Sequence, residues 1–251
     1  RQNQIEQIEK NQATLENKIV FLENKIAEKL EISKTQKAEK NEYLKDKIKQ
    51  QETFSKLKAE ENKYKSILAL QQKKKNKIAR AIRKAIEEEI AATIKKSDNS
   101  FTLSPEGNSL SKTFISNKGK LPWPVLKGEI TGRYGKHRHD VVSTATVDNN
   151  GIDITTEKKA KIRAVFNGKV TSVLIIPGAG KVVMVSHGNY RTVYANLKEV
   201  YVKKGDQIKT KQLIGQLLSS DNSNVSEAHF EIWKINSSGL TTENPSNWIY
   251  K

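Results

Sequence analysis

Apolar residues in the first part of the chain follow a seven-residue rhythm. Ile5, Gln12, Ile19 and Ile26 fall on one seam position, and Ile8, Leu15 and Leu22 on the other. That spacing lines up one stripe along an α-helix, the sequence signature of a coiled coil. The rhythm fades between Leu30 and Tyr43 and returns through Leu44, Ile48, Leu57, Tyr64 and Leu68. No Gly or Pro precedes Pro105, so all 13 Gly and all 5 Pro lie in the remainder, and nothing in this run breaks a helix. The pattern predicts coiled coil over residues 1–77. One straight helix over residues 1–96 would be roughly 140 Å long at 1.5 Å per residue, so it either projects as a stalk or folds back on a partner helix. The chain opens inside a heptad run without Met or an apolar signal segment. It reads as a fragment of a longer hairpin whose antiparallel mate and targeting sequence are missing.

From Ile78 the period changes. Ile78, Ile82, Ile86, Ile90 and Ile94 recur every fourth residue, with Ala81 and Ala85 beside them. A strict four-residue ladder drifts around a helix and makes a broad apolar face rather than a narrow seam. Such a face needs a surface to lie on: either the bundle continues, or this helix covers part of the downstream domain. Residues 97–121 are polar; Ser104 is placed to cap a short helix with Pro105 at its first position, ending before Gly119 and carrying Leu110 and Phe114 on one side. Residues 78–120 therefore read as helices and linker joining two halves.

Beyond Leu121-Pro122-Trp123-Pro124 the pattern is one of short strands between Gly, Pro and Asn turns: Ile162 to Phe166, Lys169 to Ile176, Lys181 to Ser186, Arg191 to Ala195 and Ala228 to Ile235. Asn167-Gly168 is a two-residue hairpin signal. Val182, Val183, Met184 and Val185 are continuously apolar, which predicts a strand buried on both faces. Residues 121–251 thus read as an all-β domain large enough to bury its own core. The fold class expected is α+β and multidomain, a long N-terminal coiled coil followed by a β domain.

The formal net charge is +17. Residues 1–96 carry 24 Lys and Arg against 15 Asp and Glu, and the remainder 21 against 13. An excess spread this evenly forms no basic tail or stripe, which argues against a dedicated nucleic-acid binder and fits attraction to anionic wall polymers or a membrane surface. The absence of Cys leaves the redox compartment open. No segment is apolar and long enough to span a membrane.

Three short stretches carry the candidate chemistry: Asn149-Asn150-Gly151-Ile152-Asp153, Tyr194-Ala195-Asn196-Leu197 and Glu227-Ala228-His229-Phe230. They resemble the motifs His-x-Gly-x-Asp, Tyr-x-His-Leu and His-x-His-Phe of the lysostaphin-type (LytM-like) zinc peptidases. The resemblance runs from about Trp123 to Trp248 through further motifs in order, among them Gly132-Arg133-Tyr134-Gly135, Ser186-His187-Gly188, Lys204-Gly205-Asp206 and Asn244-Pro245. It implies ligand positions at Asn149, Asp153 and His229, and catalytic histidine positions at Asn196 and Glu227. Only Asp153 and His229 keep the functional side chain. An amide oxygen is a poor zinc ligand and takes no proton near neutral pH, so the resemblance implies a peptidase fold without metal or catalysis. Side chains two apart share a strand face, so Glu227 and His229 should meet Asp153 in one groove, and Glu227 could complete a rebuilt zinc site. His137 and His139 read as exposed loop residues, and His187 as a structural hydrogen-bonding residue.

A coiled coil followed by a LytM-like domain with degraded zinc motifs is similar to the EnvC-like murein hydrolase activators. That resemblance implies an extracytoplasmic, periplasmic factor of cell division and daughter-cell separation. It would not cut peptidoglycan but would switch on a zinc-dependent N-acetylmuramoyl-L-alanine amidase. It further implies a coiled coil that binds an FtsEX-like membrane complex, and a helix that occupies the LytM groove until that complex withdraws it. The groove expected to bind the amidase is formed by Asn149, Asp153, Tyr194, Asn196, Glu227, His229 and Trp233. The inhibitory helix is expected to carry either Ile82, Ile86, Ile90 and Ile94 or Leu110 and Phe114. Two alternatives stay open: a peptidoglycan-binding scaffold, and a zinc endopeptidase with a rebuilt site.

Overall fold

The computed structural model describes residues 2–94, 103–138, 145–177, 180–219, 223–236 and 239–250. The chain divides into two compact units, residues 1–63 and 64–251. Helix α1 (Gln2–Ile94) makes up the described part of the first unit and supplies the opening element of the second. The helix is unbroken across Leu30 to Tyr43, where the heptad pattern weakens, as a run free of Gly and Pro allows.

In the second unit, α1 is followed by α2 (Pro105–Ser116) and, among the described residues, twelve strands. The expected cap is present, with Ser104 Oγ accepting from Gly107 N at 3.1 Å and Pro105 opening the helix. Strands β1 (Glu129–Gly132), β4 (Ile152–Glu157), β11 (Val225–Asn236), β8 (Tyr190–Val200), β7 (Gly180–His187), β6 (Gly168–Ile176) and β9 (Gln207–Ile208) lie side by side in that order. Strand β10 (Leu213–Leu217) pairs with β8 and β5 (Lys161–Arg163), and β12 (Gly239–Glu243) with β11. Every pairing in this sheet is antiparallel. Strands β2 (Gly135–Arg138) and β3 (Thr146–Asn149) form a separate two-stranded ribbon.

The two-residue period of the strands splits the apolar residues between two faces. Val183 and Val185 of β7, Tyr194 of β8 and Phe230 of β11 enter a core closed by Phe114, Leu121 and Trp248. Val182 and Met184 of β7, Val193 and Ala195 of β8, and Trp233 and Ile235 of β11 point the other way, against Ile78, Ile82 and Ile86 of α1. The isoleucine ladder therefore lies on this sheet. Ile82 and Ile86 are fully buried there, each contributing about 2 kcal/mol of hydrophobic stabilisation before ordering costs. Ile90 packs at the edge of the same cluster, and the side chain of Ile94 lies outside the described residues.

The hairpin expected at Asn167-Gly168 does not form. Strand β5 pairs with β10, whereas β6 pairs with β7 and β9. Asn167 instead anchors a crossover, its Oδ1 accepting from Thr210 N at 2.7 Å and Thr210 Oγ1 at 3.0 Å. Gly168 is required by close approach, since a Cβ there would fall 2.5 Å from the carbonyl oxygen of Ser186. The strand expected from Ile162 to Phe166 is accordingly cut to Lys161–Arg163.

Candidate functional site

The cleft forms where β4 and β11 run antiparallel with Asp153 directly opposite His229. Gly132 of β1 faces Asp153 across the other edge. A Cβ at Gly132 would lie 2.1 Å from Asp153 Oδ2, so the glycine makes the room that the carboxylate fills. Helix α1 crosses above, and a cavity of about 720 Å³ remains between its residues 71–80 and the sheet.

Asp153 is almost fully enclosed by partners. Its Oδ1 accepts from His229 Nδ1 at 2.7 Å, and its Oδ2 accepts from Lys75 Nζ at 2.6 Å and from Asn149 Nδ2 at 3.0 Å. Asn149 Oδ1 in turn accepts from Gly151 N at 3.2 Å, which fixes the orientation of its amide. His229 Nε2 donates to Glu231 Oε1 at 2.9 Å, and Trp233 Nε1 to Glu231 Oε2 at 2.6 Å. His229, Glu231 and Trp233 lie two apart on β11 and so share the face under α1.

These contacts decide the charge states. Burial alone would favour neutral His229, but its hydrogen bonds to Asp153 and Glu231 outweigh it and hold the imidazole up to about 9. Burial likewise opposes ionisation of Asp153, yet the hydrogen bond and charge of His229, with Lys75 beside them, hold its carboxyl well below the usual carboxylate range. At neutral pH the cleft holds an alternating row: ammonium, carboxylate, imidazolium, carboxylate.

A zinc ion does not fit this row. Zinc needs a lone pair from an unprotonated imidazole nitrogen, whereas both nitrogens of His229 donate to carboxylates. The Lys75 ammonium is bound to the Oδ2 atom of Asp153, the third candidate ligand, Asn149, offers an amide that already bonds that atom and Gly151, and no cationic metal would share that seat. Among the described residues no group of three or more His, Cys, Asp or Glu side chains is arranged to hold a metal ion.

Of the residues expected in the groove, Asn149, Asp153, Asn196, Glu227 and His229 line the cleft. Glu227 is at its exposed rim. Asn196 reaches it through a left-handed backbone, φ 62°, at an irregularity where two residues of β8, Ala195 and Asn196, oppose Val182 alone on β7. Its amide donates to the carbonyl of Glu227 at 3.2 Å. Tyr194 is a correction: the bulge reverses the parity, so its ring enters the main core 5.4 Å from Phe230, and its hydroxyl accepts from Val165 N at 3.0 Å. Trp233 is also not a groove surface, being buried beneath α1 with the Arg83 guanidinium 5.7 Å from its ring. Leu110 and Phe114 are displaced from the groove as well. Phe114 stacks on His187 at 4.7 Å and Trp248 at 4.8 Å in the main core, and Leu110 packs beside it.

His187 is structural, its Nδ1 donating to the Asn167 carbonyl at 2.6 Å and its Nε2 meeting Thr192 Oγ1 at 2.8 Å. Burial, reinforced by nearby Arg191, pushes it down to about 3, so it stays neutral. His137 belongs to strand β2 rather than to a loop, and His139 and Asp140 lie outside the described residues.

Sequence reasoning missed three participants. Glu231 had a signal, lying two residues from His229. Lys75 and Gln72 continue the helix surface of Ile78 backwards by three and six residues. Gln72 grips the edge of β3, its Nε2 donating to the Asp148 carbonyl at 2.9 Å and its Oε1 accepting from Asp148 N at 3.3 Å. At the other end Arg191, itself buried, makes two bonds to Glu89, at 2.6 and 3.2 Å. Ion pairs thus bracket the isoleucine ladder.

Residues 147–244 match the family model of Peptidase family M23. The peptidoglycan DD-endopeptidase ShyB of Vibrio cholerae is 30% identical over 127 residues, covering 50% of this chain and 29% of ShyB. The cell division protein DipM of Caulobacter vibrioides is 28% identical over 119 residues, 47% of this chain and 18% of DipM. Stage II sporulation protein Q of Bacillus subtilis is 38% identical over 111 residues, 41% of this chain and 37% of that protein. Among solved structures, Csd3 of Helicobacter pylori aligns with a TM-score of 0.43 and 26% identity, over 53% of this chain and 34% of Csd3. The chain spans less than two-fifths of the length of these relatives. Its residues 147–244 are similar to the M23 (LytM-like) domain.

Proposed function

We propose that this M23-type domain is non-catalytic and activates a peptidoglycan N-acetylmuramoyl-L-alanine amidase in cell division, on the extracytoplasmic side of the membrane. One observation carries the reading: Lys75 of α1 places its ammonium 2.6 Å from Asp153, on the carboxylate that a peptidase of this family would give to zinc. The cleft is thereby both unsuited to metal and covered by a helix of its own chain. Residues 71–89 are the inhibitory element in this reading, and the α2 segment is not. The amidase's docking surface is then the cleft face around Asn149, Asp153, Asn196, Glu227 and His229.

Opening requires a partner that prefers the uncovered form, because a ligand shifts a two-state equilibrium only through differential affinity. An FtsEX-like membrane complex acting on residues 1–63 fits that role; peptidoglycan is a further partner, and nucleic acid is not. No described helix is long and apolar enough to cross a membrane. Support for the cell-wall setting comes from relatives named for peptidoglycan cleavage and for cell division.

The test is release of dye from labelled peptidoglycan by a purified amidase, with and without residues 103–251. This fragment keeps α2, whose Phe114 belongs to the core. Stimulation without release by the fragment alone is expected. Chelator-sensitive release by the fragment alone would contradict the reading, as would unchanged amidase rates with retention on peptidoglycan.

A further inference from the structure

The heptad seam of residues 5–26 is not absorbed by any role of the β domain. Ile5, Ile8, Leu15, Ile19, Leu22 and Ile26 are each more than half exposed, an apolar stripe that water does not favour. With Ile5 at position a, the a sites are Ile5, Gln12, Ile19 and Ile26 and the d sites are Ile8, Leu15 and Leu22. Isoleucine at a with mostly leucine at d favours two parallel strands.

The flanking charges choose the partner. Position e holds Glu9, Glu16 and Glu23, while position g holds Gln4, Asn11, Lys18 and Lys25. In a parallel pair each g side chain faces the following e of the other helix, so Lys18 meets Glu23 of a second copy, twice by symmetry. An antiparallel pair of copies would face e with e and g with g, setting Glu against Glu and Lys against Lys. Gln12 fixes the alignment. In register its amide meets the same amide, whereas any shifted register buries it opposite isoleucine without a hydrogen-bond partner.

We infer that residues 5–26 form a parallel, in-register, two-stranded coiled coil with a second copy of this chain, rather than pairing with the antiparallel hairpin mate expected from the sequence. Its extent is limited, because the next d and a positions are Lys29 and Ser33. Pairing is therefore concentration-dependent and makes the chain bivalent toward whatever its β domain binds. The inference is independent of the activator reading.

Sedimentation equilibrium of the full chain tests it, with a monomer–dimer equilibrium expected. Leu15→Glu should abolish the dimer while leaving helical content and melting of the β domain unchanged. Since the chain has no Cys, Gln12→Cys supplies the sole thiol and should form a disulfide dimer on mild oxidation, which only the parallel in-register arrangement allows. Lys18→Glu should weaken association at least several-fold, and adding Glu23→Lys should restore it. A monomer at every concentration, a dimer that Gln12→Cys fails to cross-link, or a dimer indifferent to Leu15→Glu would each overturn the inference.

Discussion

Helix α2 and the part of α1 from Tyr64 lie on opposite faces of the same sheet, and different physics holds them there. Phe114 of α2 is surrounded by rings: Phe166 edge-on at 5.5 Å, His187 and Trp248 stacked, and Tyr190 at 5.2 Å. Nothing in that contact is charged at neutral pH. The α1 segment presents an aliphatic strip bounded by the Lys75–Asp153 and Glu89–Arg191 pairs. In the reading proposed above, the aromatic plug stays with the core and the strip with polar ends is the cover.

The largest effect should follow from attacking the plug. Phe114→Ala leaves a cavity among four rings and should cost about 3–5 kcal/mol in denaturant unfolding of the whole domain. Ile82→Ala should cost about 2–4 kcal/mol, but in a different place: hydrogen exchange should rise along residues 64–94 while β7 stays protected. Equal loss of protection in both would erase the distinction between plug and cover.

A pH titration sharpens the comparison next. The folded-state pKa of His229 is raised, from 6.5 to about 9, so its contribution is fully present below about 6.5 and is lost as pH rises through about 9, on the order of 3 kcal/mol in all. His229→Gln should flatten that slope. His187, held neutral on the plug side, should show no imidazole titration by NMR between pH 5 and 9, in contrast to His229. The depressed pKa of Asp153 works in the opposite direction, its contribution being present above about 3.8 and lost as pH falls below it. Smaller still, Lys75→Met should cost about 1–2 kcal/mol, since Asp153 keeps His229 and Asn149. Zinc should leave the melting temperature of the full chain unchanged, because binding would require His229 to give up its protons.

Much of this was legible in the sequence for reasons that are local. A long run without Gly or Pro and with heptad apolar spacing reads as helix, Ser104-Pro105 is a cap whose parts are adjacent, and the apolar run Val182 to Val185 needs cover on both faces. The ladder spacing announced an apolar helix face but left open whether the bundle continued or the helix covered the downstream domain; the contact with β7 had to come from the structure. What could not be read depended on tertiary detail. Tyr194 was misplaced because a bulge near Asn196 reverses side-chain parity, and a lone asparagine, though suited to the left-handed backbone there, does not announce a bulge by itself. The Asn167-Gly168 signal was equally ambiguous: the dipeptide suits a tight turn, yet here its amide and its missing Cβ serve a crossover. Lys75 lies in a run of three lysines, and only the sheet beneath it distinguishes one from the others. Glu231 was within reach, because two-residue periodicity from His229 puts a carboxylate on the groove face, where it fixes the charge of the histidine.

The measurement that tests the central claim most directly is amidase stimulation by the full chain and by its Lys75→Glu variant. The substitution places a carboxylate against Asp153 and converts an attraction into a repulsion, while leaving every residue of the sheet in place. If residues 71–89 cover the amidase site, the variant should stimulate the enzyme several-fold more than the unaltered chain, approaching the level of residues 103–251. Equal stimulation by the two full-length chains, with hydrogen exchange showing the variant helix released from the sheet, would contradict the account.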